Sequence, residues 1–388
     1  MVIMYAIALK MLIEDRAKFF GMVISLSFSA LIITQQAAIF IGLMRRTYAT
    51  ITDTPQADIW VMDRNIQFID DVSPLRSTEL YRIRSIEGVA WAMPFYKGLI
   101  RARLTNGQFQ TCNLIGIDDA TLIGGPHTML QGKIEDLRAP DAIIVNKVGA
   151  ADKLAQNQGY GKSKRPLMVG EQLELNDSRA TVVGICDVTR TFQSQPVIYT
   201  TYNRALKYAP YERKRLSFIL VKAEKGVSPV ELCKKITKLT NFATYTKKGF
   251  EQLTINYYLT RTGIPINFGL AILLGLLVGA AVTGQIFFNF VTENLKYLGL
   301  FSLMGAQREL LAKMTIIQAL WIAFLGWGIG SGAGALLGFL TRNTELSFHL
   351  PWQLFLATGF AMFAICITVS LVCIRRIYNI ELGILFKT

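Results

Sequence analysis

Residues 291–314, VTENLKYLGLFSLMGAQRELLAKM, lie between two long runs that hold no Asp, Glu, Lys or Arg. A simple turn between apolar runs needs only a few residues. This segment instead predicts a helical start around Tyr-Leu-Gly-Leu, a break at Leu-Met-Gly-Ala, and a second helix from about Gln307. Leu295, Leu298, Phe301 and Leu303 are wasted if they face water, while Gly299 and Gly305 permit sharp changes of direction. The segment is shaped to dock into a groove on another protein. A helix lying on lipid is the plainer alternative.

The flanking runs decide the fold class. Four windows lack the four charged residue types: 19–44, 262–292, 314–341 and 346–374. Each exceeds the roughly 20 residues that cross about 30 Å of hydrocarbon as a helix. The chain of 388 residues, 52% hydrophobic with 31 glycines, is therefore expected to span a membrane four times. Its net charge of +14 is concentrated elsewhere: 45–261 holds 31 Lys and Arg against 21 Asp and Glu. The expected organisation is an amphipathic helix (1–18), a transmembrane helix (19–44), a soluble domain with a stalk (45–261) and a second span (262–292). A connecting segment (293–313), two further spans (314–341 and 346–374) and a tail (375–388) follow. The first apolar run is too long for a cleaved signal peptide and reads as an anchor.

Short-loop charge sets the orientation. Lys10, Arg16, Lys18, Lys296, Arg308, Lys313, Arg375, Arg376 and Lys387 fall on one side, against Arg342 alone in the loop between the third and fourth spans. Both termini and the 291–314 stretch are expected to be cytoplasmic, and the soluble domain extracytoplasmic. Residues 2–17 place Met4, Ile7, Ala8, Met11 and Leu12 on one face. They read as a helix on the inner membrane surface, or as an extension of the first span.

The soluble domain reads as mixed α and β. Strands are expected at 57–63, 98–104, 108–117, 172–176, 180–186 and 216–223, with a hairpin at TNGQ (105–108). Helices are expected at 77–86, 141–155 and 228–240, the last capped by Ser228 with Pro229 following. Residues 249–259, GFEQLTINYYL, predict a helix running down to the membrane with Tyr257 and Tyr258 at the interface. Gly263 and Pro265 suggest a bend beyond it. Residues 157–166 read as a polar loop.

Several chemistries are excluded. GKSK at 161–164 lacks the glycine that a phosphate loop needs at position 156, which is Gln156, and no strand precedes it. His127 and His349 have no metal-ligand neighbours at useful spacing. Basic charge on a membrane-tethered domain points to lipid headgroups, a partner or plain solvation rather than nucleic acid. Cys112, Cys186 and Cys233 allow at most one internal disulfide, and Cys366 and Cys373 share a helical face and pack. Neither a catalytic nor a cofactor site is expected.

Gly326, Gly330, Gly334 and Gly338, with Gly328 and Gly332, form small-xxx-small spacings in the third span, and Gly275 and Gly279 do so in the second. Such spacings serve close helix packing, within the chain or with another copy. Four helices enclose little, so a second copy or a homologous partner is expected. Gln35, Gln36, Gln285, Asn289 and Gln318 are polar groups inside spans that need partners across helix interfaces.

The sequence from Val291 to Gly330 resembles the cytoplasmic segment and following span of the MacB/FtsX-type ABC permeases. Glu293, Gly299-Leu300, Leu303-Met304-Gly305-Ala306 and Arg308 stand where that family has a Glu, a Gly-hydrophobic pair, a Leu-x-Ala-x-Gly-Ala-type run and a basic residue, followed by a glycine-rich helix. Ser302 and Met304 depart mildly from its usual residues. The layout of an amphipathic start, one span, an outer domain and three spans matches as well, and GFEQLTINYYL…TGIPINFGLAILLG looks most like the DevC branch. The resemblance implies a non-catalytic permease whose Glu293, Leu298, Gly299, Leu303, Gly305, Ala306 and Arg308 contact a cytoplasmic ATPase dimer. ATP and Mg would sit on that partner. It further implies a homodimer in the bacterial inner membrane, with a periplasmic adaptor (membrane-fusion) protein and an outer-membrane channel, driving export by mechanotransmission. An FtsX-like signalling permease that regulates an extracytoplasmic hydrolase, or a lipoprotein-extracting permease, are the alternatives. A sensor would leave the 291–314 segment unexplained.

Overall fold

The computed structural model describes residues 2–104, 107–156, 165–210, 215–341 and 344–378. GKSK, most of the 157–166 loop, the first half of TNGQ, Arg342 and the end of the tail lie outside them. Two compact units emerge: Met1–Leu43 with Gly263–Thr388, and Met44–Thr262.

In the first unit, α1 (Val2–Glu14) is followed by α2 (Arg16–Thr47). Asp15 separates them and caps α2, accepting from the Lys18 amide at 3.3 Å. Ala8 and Leu12 are fully buried and belong to the core that joins the long helices. The apolar face of α1 is thus used at least partly within the chain and is not free for lipid alone.

The second unit opens with α3 (Ala49–Thr52), then β1 (Ile59–Met62), α4 (Thr78–Arg84), β2 (Val89–Arg103), β3 (Phe109–Ile117) and β4 (Thr128–Gln131). After a 3-10 turn (Ile134–Arg138) come β5 (Ala142–Asn146), α5 (Lys147–Ala151), β6 (Gln172–Leu175), β7 (Ser178–Asp187), β8 (Val197–Thr201) and α6 (Tyr202–Tyr208). Then β9 (Phe218–Ala223), α7 (Pro229–Thr240), β10 (Ala243–Thr246) and α8 (Lys247–Arg261) complete it. The strands form one sheet in the order β10-β1-β9-β2-β3-β8-β5-β7-β4, with β6 pairing β2 and β7.

Strand β2 organises this sheet. Its first half, Val89–Phe95, pairs antiparallel with β9. Its second half, Tyr96–Arg103, pairs antiparallel with β3. The expected strand at 98–104 is only the second half of this element. The hairpin expected at TNGQ is in place: Arg103 pairs with Phe109, and the Leu104 amide donates to the Gln108 carbonyl at 2.9 Å.

Three cores hold the unit. Trp60, Phe95, Phe218 and Phe250 centre the first, with Trp60 at 5.3 Å from the Phe95 ring and 5.7 Å from Phe250. Tyr96, Cys112, Leu114 and Val182 lie in the second. Ile83 of α4 and Leu232 and Ile236 of α7 cover β1 and β9 in the third.

The expectation of a helix over 141–155 is corrected. Ala142–Asn146 is a fully buried strand, paired with β7 and β8, and only Lys147–Ala151 is helical. A strand buried on both faces shows an unbroken apolar run with no period to mark it. Ser228 stands at the N-cap of α7 with Pro229 after it, but its side chain makes no capping bond. Tyr257 and Tyr258 are also reassigned. Tyr257 stacks on Phe68 at 4.3 Å and Tyr258 packs on Phe192 at 5.0 Å, so both rings serve the α/β unit itself. Cys112, Cys186 and Cys233 lie in three different cores and are all free thiols.

Back in the helical unit, α9 (Ile264–Glu293), α10 (Leu295–Leu303), α11 (Arg308–Leu340) and α12 (Trp352–Tyr378) follow. The backbone between α8 and α9 is broken at Thr262, which is extended, and Pro265 sits in the first turn of α9 where its missing N–H costs nothing. Among the described residues, α2, α9, α11 and α12 are the four helices long and apolar enough to cross a membrane.

Candidate functional site

The connection between α9 and α11 is built by three local devices. Asn294 ends α9, its side-chain amide donating to the Phe290 carbonyl at 2.8 Å. Helix α10 then runs for nine residues to the turn at Gly305, whose φ of +92° only glycine adopts at low cost. The Ala306 amide donates to Phe301 O at 2.9 Å and the Gly305 amide to Ser302 O at 3.0 Å, the paired bonds of a Schellman cap. Gln307, extended, begins α11.

This geometry sorts the residues singled out above. Leu298 is 6% exposed, and Leu295, Phe301 and Ala306 pack against the same core. Gly299 is buried inside α10 and makes no turn, so the expected change of direction falls on Gly305 alone. Leu298 and Gly299 are buried, Leu298 in the helical core, and do not lie on the segment's outer face. The outward stripe is Tyr297, Leu300, Leu303 and Met304, the last 74% exposed, at spacings that put them on adjoining faces of one short helix. Arg308 is exposed in the first turn of α11 and makes no ion pair among the described residues. A cation there is disfavoured by the helix dipole by a few tenths of a kcal/mol.

Glu293, the last residue of α9, accepts from Lys18 of α2. Lys18 also donates to Asp15 at 2.7 Å. That bond holds the Asp15 carboxyl below the ordinary carboxylate range, outweighing its partial burial. The sequence gives no sign of this triad, since it joins residues 275 apart.

The glycines pack within the chain. A Cβ on Gly326 would meet Leu26 at 2.8 Å, one on Gly330 would strike the Ser27 carbonyl oxygen, and one on Gly334 would touch Thr34 at 3.3 Å. On α9, Gly279 faces Ser29 at 2.6 Å and Gly275 faces Ile32 and Ile33 at 3.3 Å. All five lie against α2, whereas Gly338 lies against Phe348. Gly328 and Gly332 have open space beside them. Of the intramembrane amides, Gln318 donates to the Ala8 carbonyl at 2.7 Å and Gln285 to Asn289 at 3.4 Å.

In the α/β unit one ionic group is not evident from the sequence. Lys97, at the midpoint of β2, is buried and paired with Asp70. The one available signal is a lone cation within the apolar run WAMPFYKGLI.

Four apolar helices, a short capped connector and an α/β domain inserted after the first of them match the layout expected of an ABC transporter permease. Comparison with known families agrees: residues 20–239 match the MacB-like periplasmic core domain and residues 269–382 the FtsX-like permease C-terminal. The chain belongs to the MacB/FtsX-like family of ABC permeases, inner-membrane proteins that work with ATPase partners. No curated protein matches it. Among solved structures it is similar to the extracellular domain of the noncanonic ABC-type transporter YknZ from Gram-positive bacteria, at 13% identity and a TM-score of 0.34. That match covers 49% of this chain and 98% of the other. The periplasmic region of MacB from Actinobacillus actinomycetemcomitans matches at 15% identity and TM-score 0.37, covering 52% and 94%. A domain of a permease protein from Porphyromonas gingivalis matches at 15% and 0.32, covering 50% and 90%.

Proposed function

We propose that this chain is the permease subunit of an ABC exporter, transmitting ATP-driven motion to its inserted domain. The observation that carries the reading is the connector. Its inner residues, Leu298 and Phe301, anchor it to the helical core, while Tyr297, Leu300, Leu303 and Met304 present apolar surface outward. An ATPase groove would receive that stripe, with Arg308 as a charged contact at its edge. Gly305 fixes the angle and Glu293 ties the segment to α2 through Lys18. Catalysis, ATP and Mg belong on this reading to the separate ATPase dimer.

The short-loop charges support cytoplasmic termini and a periplasmic inserted domain. A homodimer, an adaptor protein and an outer-membrane channel complete the scheme by family resemblance, and the 249–275 run supports the DevC branch. The glycine pattern does not support the dimer, because most of those glycines are occupied by α2 and Phe348.

The test uses the purified permease with its candidate ATPase. Glu293→Ala combined with Gly305→Trp should abolish association and stimulated turnover while the protein still inserts and folds. Unchanged binding and turnover would leave the connector a mere membrane-surface turn.

A further inference from the structure

Within the α/β unit lies a cavity of about 620 Å³. Its floor is the stretch of β2 that passes from β9 to β3, including Lys97 and Leu99. The crossing is pinned by Ser217, whose hydroxyl accepts from the Lys97 amide at 3.0 Å and donates to the Lys97 carbonyl at 3.1 Å.

The Lys97 side chain is 3% exposed. An ammonium has three N–H donors, and among the described residues only the Asp70 carboxylate accepts from this one. A buried charge with unused donors is costly, and the cavity that Lys97 lines is where further acceptors can enter. The opposite sign is represented too. Asp70 and Asp71 line the same space, and Arg215 stands on its wall. Phe68, Val72 and Pro74 supply an apolar side.

We propose that this cavity binds a small zwitterionic amphiphile, with a carboxylate and an ammonium group on an apolar body. The carboxylate meets Lys97 and Arg215, the ammonium meets Asp71 and Asp70, and the body lies on Phe68, Val72 and Pro74. The two carboxylates oppose a purely anionic ligand. A purely cationic one leaves the Lys97 donors unmet. The site goes beyond the coupling reading and stands whether or not the connector docks an ATPase. Phe68 also stacks on Tyr257 of α8, so an occupant touches a ring held by that helix.

The probe is 8-aminooctanoate, titrated against the full chain in nanodiscs and followed by saturation-transfer NMR. Saturable binding is expected, with octanoate and octylammonium at least about tenfold weaker, the loss of one charge-assisted hydrogen bond. Asp71→Asn at the edge should weaken binding by a similar factor, and Gln193→Trp, which fills the cavity from an exposed loop position, should abolish it. Lys97→Met should abolish it as well. Because that change can disturb the fold, Asp71→Asn and Gln193→Trp are the decisive variants. Absence of saturable binding overturns the site. So does equal affinity for octanoate, or binding unaffected by both Asp71→Asn and Gln193→Trp.

Discussion

Lys18, in the first turn of α2, forms an ion pair with Glu293, the final residue of α9. The pair joins the start of α2 to the end of α9, where the connector begins. Its Lys18 side chain is 22% exposed and its Glu293 side chain 64%, so the bond itself contributes little stability, about 0.2–1 kcal/mol. Its use is positional. Lys18→Gln is expected to leave the melting temperature within a few degrees while lowering ATPase turnover supported by the permease. The exchange Lys18→Glu with Glu293→Lys should restore a good part of that turnover. Failure of the exchange alongside intact folding would assign Glu293 to the ATPase rather than to Lys18.

Gly330 and Gly328 sit on the same helix with opposite surroundings. A Cβ at 330 strikes the Ser27 backbone, which cannot yield as a flexible side chain would, whereas at 328 nothing lies within 4 Å. Gly330→Ala is expected to destabilise the detergent-solubilised protein by about 1–3 kcal/mol through overpacking. Gly328→Ala should be neutral or slightly stabilising through helix propensity. Thermal denaturation of the two variants side by side checks this, and equal behaviour would refute the α2–α11 contact.

Gly305 has room for a side chain but not the backbone for one. With φ at +92° and no atom within 4 Å of a built Cβ, Gly305→Ala pays only for conformation, about 1–2 kcal/mol. The expected result is a mobile connector in a folded protein: faster amide exchange over 295–307, unchanged exchange in α12.

Asp53 gives the α/β unit a pH dependence of definite sign. Burial raises its carboxyl above the ordinary value, against hydrogen bonds from the Thr189 amide at 2.8 Å and hydroxyl at 2.9 Å and the charge of Lys247. An acid whose folded pKa is raised binds its proton more tightly in the folded state. Its ionisation therefore costs stability, and the cost grows as pH rises from the unfolded value through the raised one. Wild-type stability should gain a component as pH falls from neutral into the mildly acidic range. Asp53→Asn should lack that component, which denaturant titrations across pH will reveal.

The inserted domain's thiols should be inert. Burial pushes Cys112 and Cys186 up to about 12 and Cys233 to about 11. With thiolate the reactive form, maleimide should label none of the three quickly at neutral pH in the folded protein, and reductant should not shift its melting. Prompt labelling of any one would show that its core opens.

The four spans and the connector are legible in the sequence because both are written in local terms: charge-free length, and a glycine just after a short apolar helix. The same locality explains the misses. AIIVN at 142–146 has no alternation to display, since both faces of β5 are covered by its neighbours' packing. Strand β2 hides its first half because residues 89–97 carry a proline and a lysine that fit no edge or core pattern read alone. Leu298 and Leu303 look alike in sequence, and only the helical rotation set by Asn294 sends one inward and the other out. Lys97 and Asp70, like Lys18 and Glu293, meet through the tertiary fold, which no spacing rule anticipates.

Strand β2 has a mechanical consequence. Its fifteen residues are shared end to end by two sheet halves, hydrogen-bonded to β9 along one stretch and to β3 along the next. The two halves therefore cannot separate without breaking the ladder on one side of this strand, because its backbone runs unbroken through both. The two sheet halves are thus joined by covalent backbone as well as by hydrogen bonds, and the change of partner from β9 to β3 falls beside Lys97.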